Sequence, residues 1–343
     1  MTDAPAVPAL SWRPLHEDLL PAWHRLHEAV IRADGGTEHL GEDDLADELA
    51  PDWIDLERDT LLALDAEGVA RAFGLVQVRP GDRTLLRAHV WGGVDPEWRG
   101  RGVGRELLAR QERQAADVVA RRRAELGPDT PASAWVRAEE GAADAAALLE
   151  HAGFVADRWF SIMQRDLARP LPDVVLPDDA GLCLVPWSAE IDDALRLAHN
   201  EAFTDHWGFQ PWDGPTWQQW ESGHRDFRGD WSFAVLDVGV GGGEAGRAGD
   251  EIAAYTLSAG YVSDWEGQGF TEGWTSKLGV RRPWRGRGLA KVLLARSMAA
   301  FAASGMQYAG LDVDSANPTG AVALYTGLGY AVRHRTVQFS KPL

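Results

Sequence analysis

The sequence predicts an α+β protein of two tandem domains, each a mixed, mostly antiparallel sheet flanked by helices. Three observations lead to this fold class. A chain of 343 residues is long enough for two domains that each bury a core. Two stretches nearly repeat each other, WRGRGVG at 98–104 and WRGRGLA at 284–290. Strand-like and helix-like segments also alternate in the same order in both halves, which favours sheets covered by helices.

The repeat extends beyond the two glycine-rich stretches. Arg99 aligns with Arg285 at an offset of 186 residues, and Val94 and Val280 each lie four residues before the shared Trp. Further on, LLEHAGF matches LYTGLGY, with Gly153 on Gly329 at an offset of 176. We therefore expect a tandem duplication in which the first copy has the longer connection.

A proline-rich segment separates the two copies. LARPLPDVVLPDDAG at 167–181 interrupts both helical and strand periodicity, so it predicts a linker between a domain at 1–166 and a domain at 182–343. A second irregular stretch at 239–251 lies between two strand-like runs and predicts a flexible hairpin excursion.

Hydrophobic periodicity predicts the elements of both halves. The first half has a strand at 11–14, helical material to about residue 50, strands at 60–65, 69–79 and 83–94, a helix to about 126, a strand at 132–138, a helix at 141–152 and two terminal strands. The second has a strand at 182–186, helices at 189–203 and 214–222, strands at 231–238, 251–260 and 270–280, a helix at 287–304, a strand at 308–314, a helix at 318–328 and two last strands.

Composition limits the classes of protein and partner. Apolar residues make up 45% of the chain, and basic residues break the apolar runs before membrane-spanning length, so we expect no transmembrane helix. A net charge of −18 opposes binding to nucleic acid and anionic membrane. The single Cys183 and the absence of a signal-peptide pattern favour the cytoplasm. We expect a monomer or homodimer that uses no metal.

The glycine-rich stretch of the second half has the chemistry of an anion site. Gly286 and Gly288 permit backbone conformations closed to other residues and leave the main-chain amides accessible. The helix that follows has free amides and a positive dipole end at its start, which favour phosphate. Arg285 and Arg287 add donors that suit phosphate oxygens. The competing interpretation is an ordinary solvated, basic turn.

The stretch lacks the spacing of a dinucleotide-binding fingerprint or a P-loop. It matches Arg-x-x-Gly-x-Gly/Ala after a strand that ends in Val and before a long helix, and in this respect the sequence resembles the GNAT superfamily of N-acetyltransferases. The resemblance implies that the loop cradles the pyrophosphate of acetyl-CoA. The implied contacts are Val94, Arg99, Gly100, Arg101, Gly102, Val103 and Gly104 in the first half, and Leu278, Gly279, Val280, Arg285, Gly286, Arg287, Gly288, Leu289 and Ala290 in the second.

A second motif lies in the segment NPTGAVALYTGLGY at 317–330. Asn317 and Pro318 suit the start of a helix on which Tyr325 lies beside a buried stripe formed by Ala321, Leu324 and Leu328. Without the glycine-rich stretch, the preferred interpretation of Tyr325 would be a core aromatic whose hydroxyl reaches water. The resemblance implies that Tyr325 is the general acid for the departing thiolate, that Asn317 binds the cofactor arm, and that main chain at 278–280 contacts the acetyl and pantetheine groups.

An amine acceptor also needs a base or a water wire to one. Glu272 precedes Val280 by eight residues, so both project from one face if the strand is regular. A bulge would reverse that face, and Asp264 or Glu266 could then serve instead. A plain surface carboxylate is the other interpretation.

The first half keeps the glycine loop and loses the acid. Leu149 aligns with Tyr325 and Gly141 aligns with Asn317. This layout resembles tandem members of the superfamily in which the carboxy-terminal domain performs acetyl transfer. In the second half, HNEAFTDHWGF borders the implied acceptor pocket, with Glu201, Asp205, His206 and Trp207 as pocket residues. His206 and Trp207 are equally compatible with a packing cluster at a helix end.

The sequence therefore predicts an acetyl-CoA-dependent enzyme that acetylates a primary amine of a small molecule by direct attack in a ternary complex. The alternative from another class is a protein that binds or senses acyl-CoA without turnover.

Overall fold

The computed structural model describes residues 9–177, 181–206, 208–239, 251–315 and 320–343. They form two compact units, one from the chain up to Trp159 together with Arg335–Leu343, the other from Phe160–His334. The predicted domains at 1–166 and 182–343 are contiguous, and that division stays a prediction. By its contacts in the structure, the segment 160–166 belongs to the second unit, and Arg335–Leu343 belongs to the first.

The first unit is a mixed sheet with helices on both faces. Its elements are β1 (Ser11–Arg13), α1 (Leu20–Asp34), α2 (Glu42–Leu49), α3 (Leu56–Asp59), β2 (Thr60–Leu64), β3 (Ala70–Gln77), β4 (Leu86–Val94), α4 (Val103–Leu126), β5 (Ala132–Glu139), α5 (Ala143–His151) and the start of β6 (Val155–Asp166). The sheet order runs from β1 to β5, and β4 and β5 are its parallel pair.

The second unit repeats this architecture. Its elements are the rest of β6, β7 (Leu182–Pro186), α6 (Asp192–Ala202), α7 (Gly214–Trp220), β8 (Phe233–Asp237), β9 (Glu251–Ala259), α8 (Val262–Gln268), β10 (Glu272–Val280), α9 (Leu289–Ala303), β11 (Tyr308–Asp314), α10 (Ala321–Gly327) and the start of β12 (Ala331–Pro342). The order is β6-β11-β10-β9-β8-β7, and β10 and β11 are the parallel pair. The predicted fold class, two mixed and mostly antiparallel sheets flanked by helices, is confirmed.

Part of one long strand completes the sheet of each unit. The later part of β6 pairs with β11, and the later part of β12 pairs with β5, both antiparallel. The sequence predicts two strands at the end of each half, and this is wrong. Residues 155–166 contain neither Gly nor Pro, and in β12 the single Pro is the last residue, so no turn breaks either strand. The short helix α8 is absent from the sequence prediction.

The two faces of each sheet have separate cores. In the first unit, Trp23, Leu26 and Val30 lie on one stripe of α1 and pack against Phe73, while α4 and α5 cover the other face. In the second, α6 and α7 cover one face around Tyr255, and α9 and α10 cover the other. Most of the predicted hairpin excursion, 240–250, lies outside the described residues, although the strands on either side of it are present.

Candidate active site

The two glycine loops share one backbone conformation. Gly286 and Gly288 have φ values of 78° and 82°, and Gly100 and Gly102 have 73° and 87°. Glycine reaches this left-handed region without strain. Gly288 is the N-cap of α9 and Gly102 that of α4, and a glycine has no side chain with which to cap the first amides. Each loop therefore offers amide donors and a positive helix end to an anion.

The positions that follow each N-cap are set by packing. Val103 and Leu289 are buried in the cores, so their side chains serve the fold. A Cβ on Gly104 would lie 3.3 Å from Leu148, whereas Ala290 occupies the same position in the second loop. The second loop thus tolerates a methyl group where the first has little room for one.

The signature arginine of the second loop braces the protein itself. The Arg285 guanidinium donates to the carbonyls of Val280 (3.0 Å) and Ala202 (2.9 Å) and lies 3.3 Å from the Asp205 carboxylate. Arg287 donates to the Pro283 carbonyl at 3.4 Å. The contacts of Arg285 connect the loop to β10 and to the end of α6. A direct phosphate contact by either arginine stays a prediction.

The first loop is braced in the same way. Arg99 donates to the Val94 carbonyl at 3.2 Å and forms a bidentate ion pair with Asp34 at the end of α1. Arg101 lies over the Trp98 ring, 5.3 Å from its centroid. The two copies therefore share a loop scaffold as well as a loop sequence.

The parallel strand pair next to each loop splays apart. β10 pairs with β11 only over 272–275 and 308–311. Beyond Thr275, the described pairing of β10 is with β9 alone. Leu278, Gly279 and Val280 lie on this open edge, directly before the loop. An open strand edge presents backbone donors and acceptors to a ligand. β4 and β5 likewise pair only over 86–89 and 132–135.

A β-bulge interrupts β10. Its register against β9 shifts between Thr275 and Lys277. Before the bulge, Gly273 faces α9, where an added Cβ would touch the Phe301 ring. After it, Val280 packs in the cluster that contains residues of α9. The extra residue therefore reverses the alternation of side chains along the strand.

The predicted base Glu272 is consequently on the other face from Val280, and the sequence argument for a shared face is wrong. Glu272 is 7% exposed, and its Oε1 accepts a hydrogen bond from Gln164 Nε2 at 2.8 Å. Burial raises the pKa of Glu272 above the usual range, although the bond from Gln164 works in the opposite direction. The alternatives Asp264 and Glu266 lie in α8, where Glu266 is exposed.

The predicted acid Tyr325 is the buried residue of α10. Its ring lies 6.0 Å from that of Tyr330, in the cluster that also contains Leu328. Burial raises the pKa of Tyr325 to about 12, so the phenol is protonated at neutral pH. The helix predicted from residue 318 begins at Ala321 with Gly320 as N-cap. Asn317 lies outside the described residues.

The acidic residues predicted for the acceptor pocket are paired with arginines beside the loop. Glu201 accepts a hydrogen bond from Arg281 at 2.7 Å, and Asp205 pairs with both Arg282 and Arg285. These contacts hold the end of α6 against the loop. His206 stacks on Phe203 with ring centroids 4.8 Å apart, and Trp207 lies outside the described residues. The structure thus brings Glu201 and Asp205 to the glycine loop, and their contact with an acceptor stays a prediction.

The first unit differs from the second at its open edge. Residues 72–77 of β3 pair with residues 89–94 of β4 in antiparallel order and without a register shift. β4 therefore has no bulge over this range. Gln111 of α4 is 3% exposed and donates to the Trp91 carbonyl at 2.7 Å, on the part of β4 that is splayed from β5. Leu149, aligned with Tyr325, is a core residue. In the first unit, the Gln111 side chain therefore occupies the open edge of β4.

Sequence reasoning missed a group of polar residues at the bulge. Glu221, directly after α7, contacts Ser276 and Lys277. On the same face, the Tyr255 hydroxyl lies 2.6 Å from Nδ1 of His199, inside the α6 core. The available signal was a lysine in the middle of an otherwise uncharged strand run, GWTSKLGV, which requires a buried partner.

Within the described ranges, no group of three or more His, Cys, Asp or Glu side chains is arranged to hold a metal ion. No helix in that part of the chain is long and apolar enough to span a bilayer.

Comparison with known proteins identifies both halves. The model of the acetyltransferase (GNAT) family matches residues 17–136 and 194–330. A mycothiol acetyltransferase of Nocardioides sp. (strain ATCC BAA-499 / JS614) is 28% identical over 262 residues, which are 76% of this chain and 80% of that protein. A crystal structure of a GCN5-related N-acetyltransferase from Sphaerobacter thermophilus is 25% identical, with a TM-score of 0.74 over 97% of this chain and 95% of that chain.

The tandem layout also has a structural counterpart. A tandem GNAT protein from the clavulanic acid biosynthesis pathway shares the fold with a TM-score of 0.67 at 16% identity, over 97% of this chain and 98% of that chain. Two matched regions, a shared architecture and two equivalent glycine loops lead to one conclusion. The chain belongs to the acetyltransferase (GNAT) family and is a tandem N-acetyltransferase.

Proposed function

We propose that this enzyme transfers acetyl from acetyl-CoA to a primary amine of a small molecule, in the cytoplasm, by direct attack in a ternary complex. The reaction is assigned to the domain at 182–343, with the domain at 1–166 as a non-catalytic copy and 167–181 as the linker. The observation that carries the assignment is the bulged, open edge of β10 beside an amide-rich loop.

In this proposal, the loop and the open edge bind different parts of acetyl-CoA. Amides at 286–290 and the dipole of α9 suit the pyrophosphate. Main chain at Leu278, Gly279 and Val280 would pair with the pantetheine amides as an added strand does. An amide on this edge would also donate to the thioester oxygen, where negative charge develops during attack. Asn317 is proposed to hold the cofactor arm.

Tyr325 is assigned the role of general acid. The amine nitrogen attacks the carbonyl carbon, the carbon–sulfur bond breaks, and the sulfur takes the bonding pair and the phenol proton. A free thiol has a pKa of about 8.5, so a phenol with a pKa of about 12 transfers its proton only as negative charge forms on sulfur in the same dry environment. Glu272 lies on the face opposite Val280, the side that α6 and α7 cover, and from that side we propose that it takes the amine proton, directly or along a water wire.

Glu272 predicts a specific pH dependence. A base must be ionised to act, and burial raises the pKa of Glu272, so kcat/KM should rise with pH through a limb above the usual glutamate range. In Glu272→Gln we expect a loss of about 100-fold and no such limb. The measurement is kcat/KM against pH for both proteins, with Glu266→Gln as the exposed control. If the limb disappears in Glu266→Gln or Asp264→Asn instead, Glu272 is not the base.

The two signature arginines provide a matched pair of variants. Arg285→Ala removes a tie between the loop and β10, so we expect acetyl-CoA to bind about tenfold more weakly. Arg99→Ala removes the equivalent tie in the first unit, and we expect no change in the kinetics of acetyl transfer. Calorimetry and steady-state kinetics on both variants test this. A kinetic defect from Arg99→Ala equal to that from Arg285→Ala would place catalysis outside the second domain alone.

Turnover with a panel of small primary amines tests the proposal as a whole. Thiol release from acetyl-CoA that requires both an amine and Tyr325 is the expected result. Binding without turnover on any amine would favour the sensing protein. If acetyl-CoA does not bind, both assignments fail.

A further inference from the structure

A buried carboxylate lies under the bulge of β10. Glu221 is 4% exposed, and both of its oxygens have partners. The Ser276 hydroxyl lies 3.1 Å from Oε2, and the Lys277 ammonium forms an ion pair with Oε1. Burial of a carboxylate is costly unless it is paired and hydrogen-bonded, and Glu221 is both.

Its two partners are the residues of the bulge. The register of β10 against β9 shifts between Thr275 and Lys277, which leaves Ser276 as the extra residue. The Ser276 hydroxyl also lies 3.1 Å from the Leu257 carbonyl on β9. Lys277 is held from its other side by the Trp212 ring, whose centroid is 5.2 Å from the ammonium. One side chain from the helical layer therefore contacts both residues at which the strand changes register.

A bulge needs such contacts to have a single geometry. The extra residue is unpaired in the ladder, so backbone hydrogen bonds alone do not fix where the strand bends. The three residues directly after the bulge are Leu278, Gly279 and Val280, on the open edge. A small change at Ser276 and Lys277 would shift or rotate that edge. In the first unit, the pairing of β4 with β3 has no register shift. Of the two open edges among the described strands, that of β10 follows a bulge and that of β4 does not.

We propose that Glu221 is a positioning residue for acetyl-CoA. It fixes the bulge through Ser276 and Lys277, and thereby sets the direction in which the main chain of 278–280 presents its amides and carbonyls. This inference rests on the proposed function, since it assumes that acetyl-CoA pairs with that edge. Glu221 itself contacts no substrate in this assignment.

The test separates positioning from stability. Glu221→Gln keeps the size and an acceptor for Ser276 but loses the charge opposite Lys277. Glu221→Gln combined with Lys277→Met removes both charges, a replacement that buried ion pairs commonly tolerate without unfolding. We expect both folded variants to bind acetyl-CoA about tenfold more weakly by calorimetry well below their melting temperatures, since small displacements at a site have effects of this size. The KM for the amine should change much less than the KM for acetyl-CoA.

The control is another buried, ion-paired carboxylate. Asp82 in the first unit pairs with Arg87 and is almost fully buried. Asp82→Asn should lower the melting temperature and leave the affinity for acetyl-CoA unchanged. Affinity within about threefold of wild type in both Glu221 variants would overturn the proposal, as would an equal loss in Asp82→Asn. Failure of the wild-type protein to bind acetyl-CoA would instead refute the proposed function.

Discussion

Tyr325→Phe should lower kcat by about 100- to 10,000-fold and leave the affinity for acetyl-CoA nearly unchanged. The phenol is protonated at neutral pH because burial raises its pKa to about 12, and its ring is held in the α10 core. The variant keeps the ring and loses only the proton donor. Stopped assays of thiol release give kcat, and calorimetry gives the affinity.

The control for this variant is Tyr308→Phe. Tyr308 begins β11 and packs its ring against Phe270, 5.0 Å away. It should lose little activity. If Tyr325→Phe keeps full kcat, or loses cofactor affinity in the same proportion as kcat, then Tyr325 is a core aromatic or a binding residue and the acid lies elsewhere.

Gly279→Ala should both destabilise the protein and abolish tight binding of acetyl-CoA. A Cβ at this position would lie 2.6 Å from the Tyr255 hydroxyl oxygen and closer still to the ring. Tyr255 is fully buried, and its hydroxyl lies 2.6 Å from Nδ1 of His199, so the ring has little freedom to move aside. Burial lowers the pKa of His199 to about 3, so the imidazole is neutral at neutral pH. Its Nδ1 can then accept a hydrogen bond from the Tyr255 hydroxyl.

The strand must therefore move instead, at a cost of about 1–3 kcal/mol. Thermal melting measures that cost, and calorimetry should show a loss of affinity of about 100-fold, because the displaced residue is on the proposed cofactor edge. Gly214→Ala is the control, since an added Cβ there meets nothing within 4 Å. Normal affinity in Gly279→Ala would mean that acetyl-CoA does not use this edge.

Local signals explain why much of the fold was predictable from the sequence. Paired glycines before an apolar helix specify the loops, because left-handed φ values and helix starts depend on neighbouring residues alone. Strand β11 at 308–314 and strand β7 at 182–186 have the predicted bounds, since turn residues flank both.

Long-range contacts explain what was not predictable. The bulge that moved Glu272 to the opposite face depends on the pairing of β10 with β9, and alternation within one strand does not reveal an extra residue. Arg285 and Asp205 are 80 positions apart, so their ion pair could not be read from spacing. Glu221 likewise acquires its importance from strand residues about 55 positions away.

The placement of β12 determines when the first unit can finish folding. Residues 336–342 form the neighbour of β5, yet they leave the ribosome long after β5 does. Until they arrive, the edge of β5 is open, and open strand edges pair readily with other chains. A chain truncated before residue 336 would therefore lack a strand of the amino-terminal copy, and the first unit of a nascent chain is not protected from aggregation until that strand has been translated.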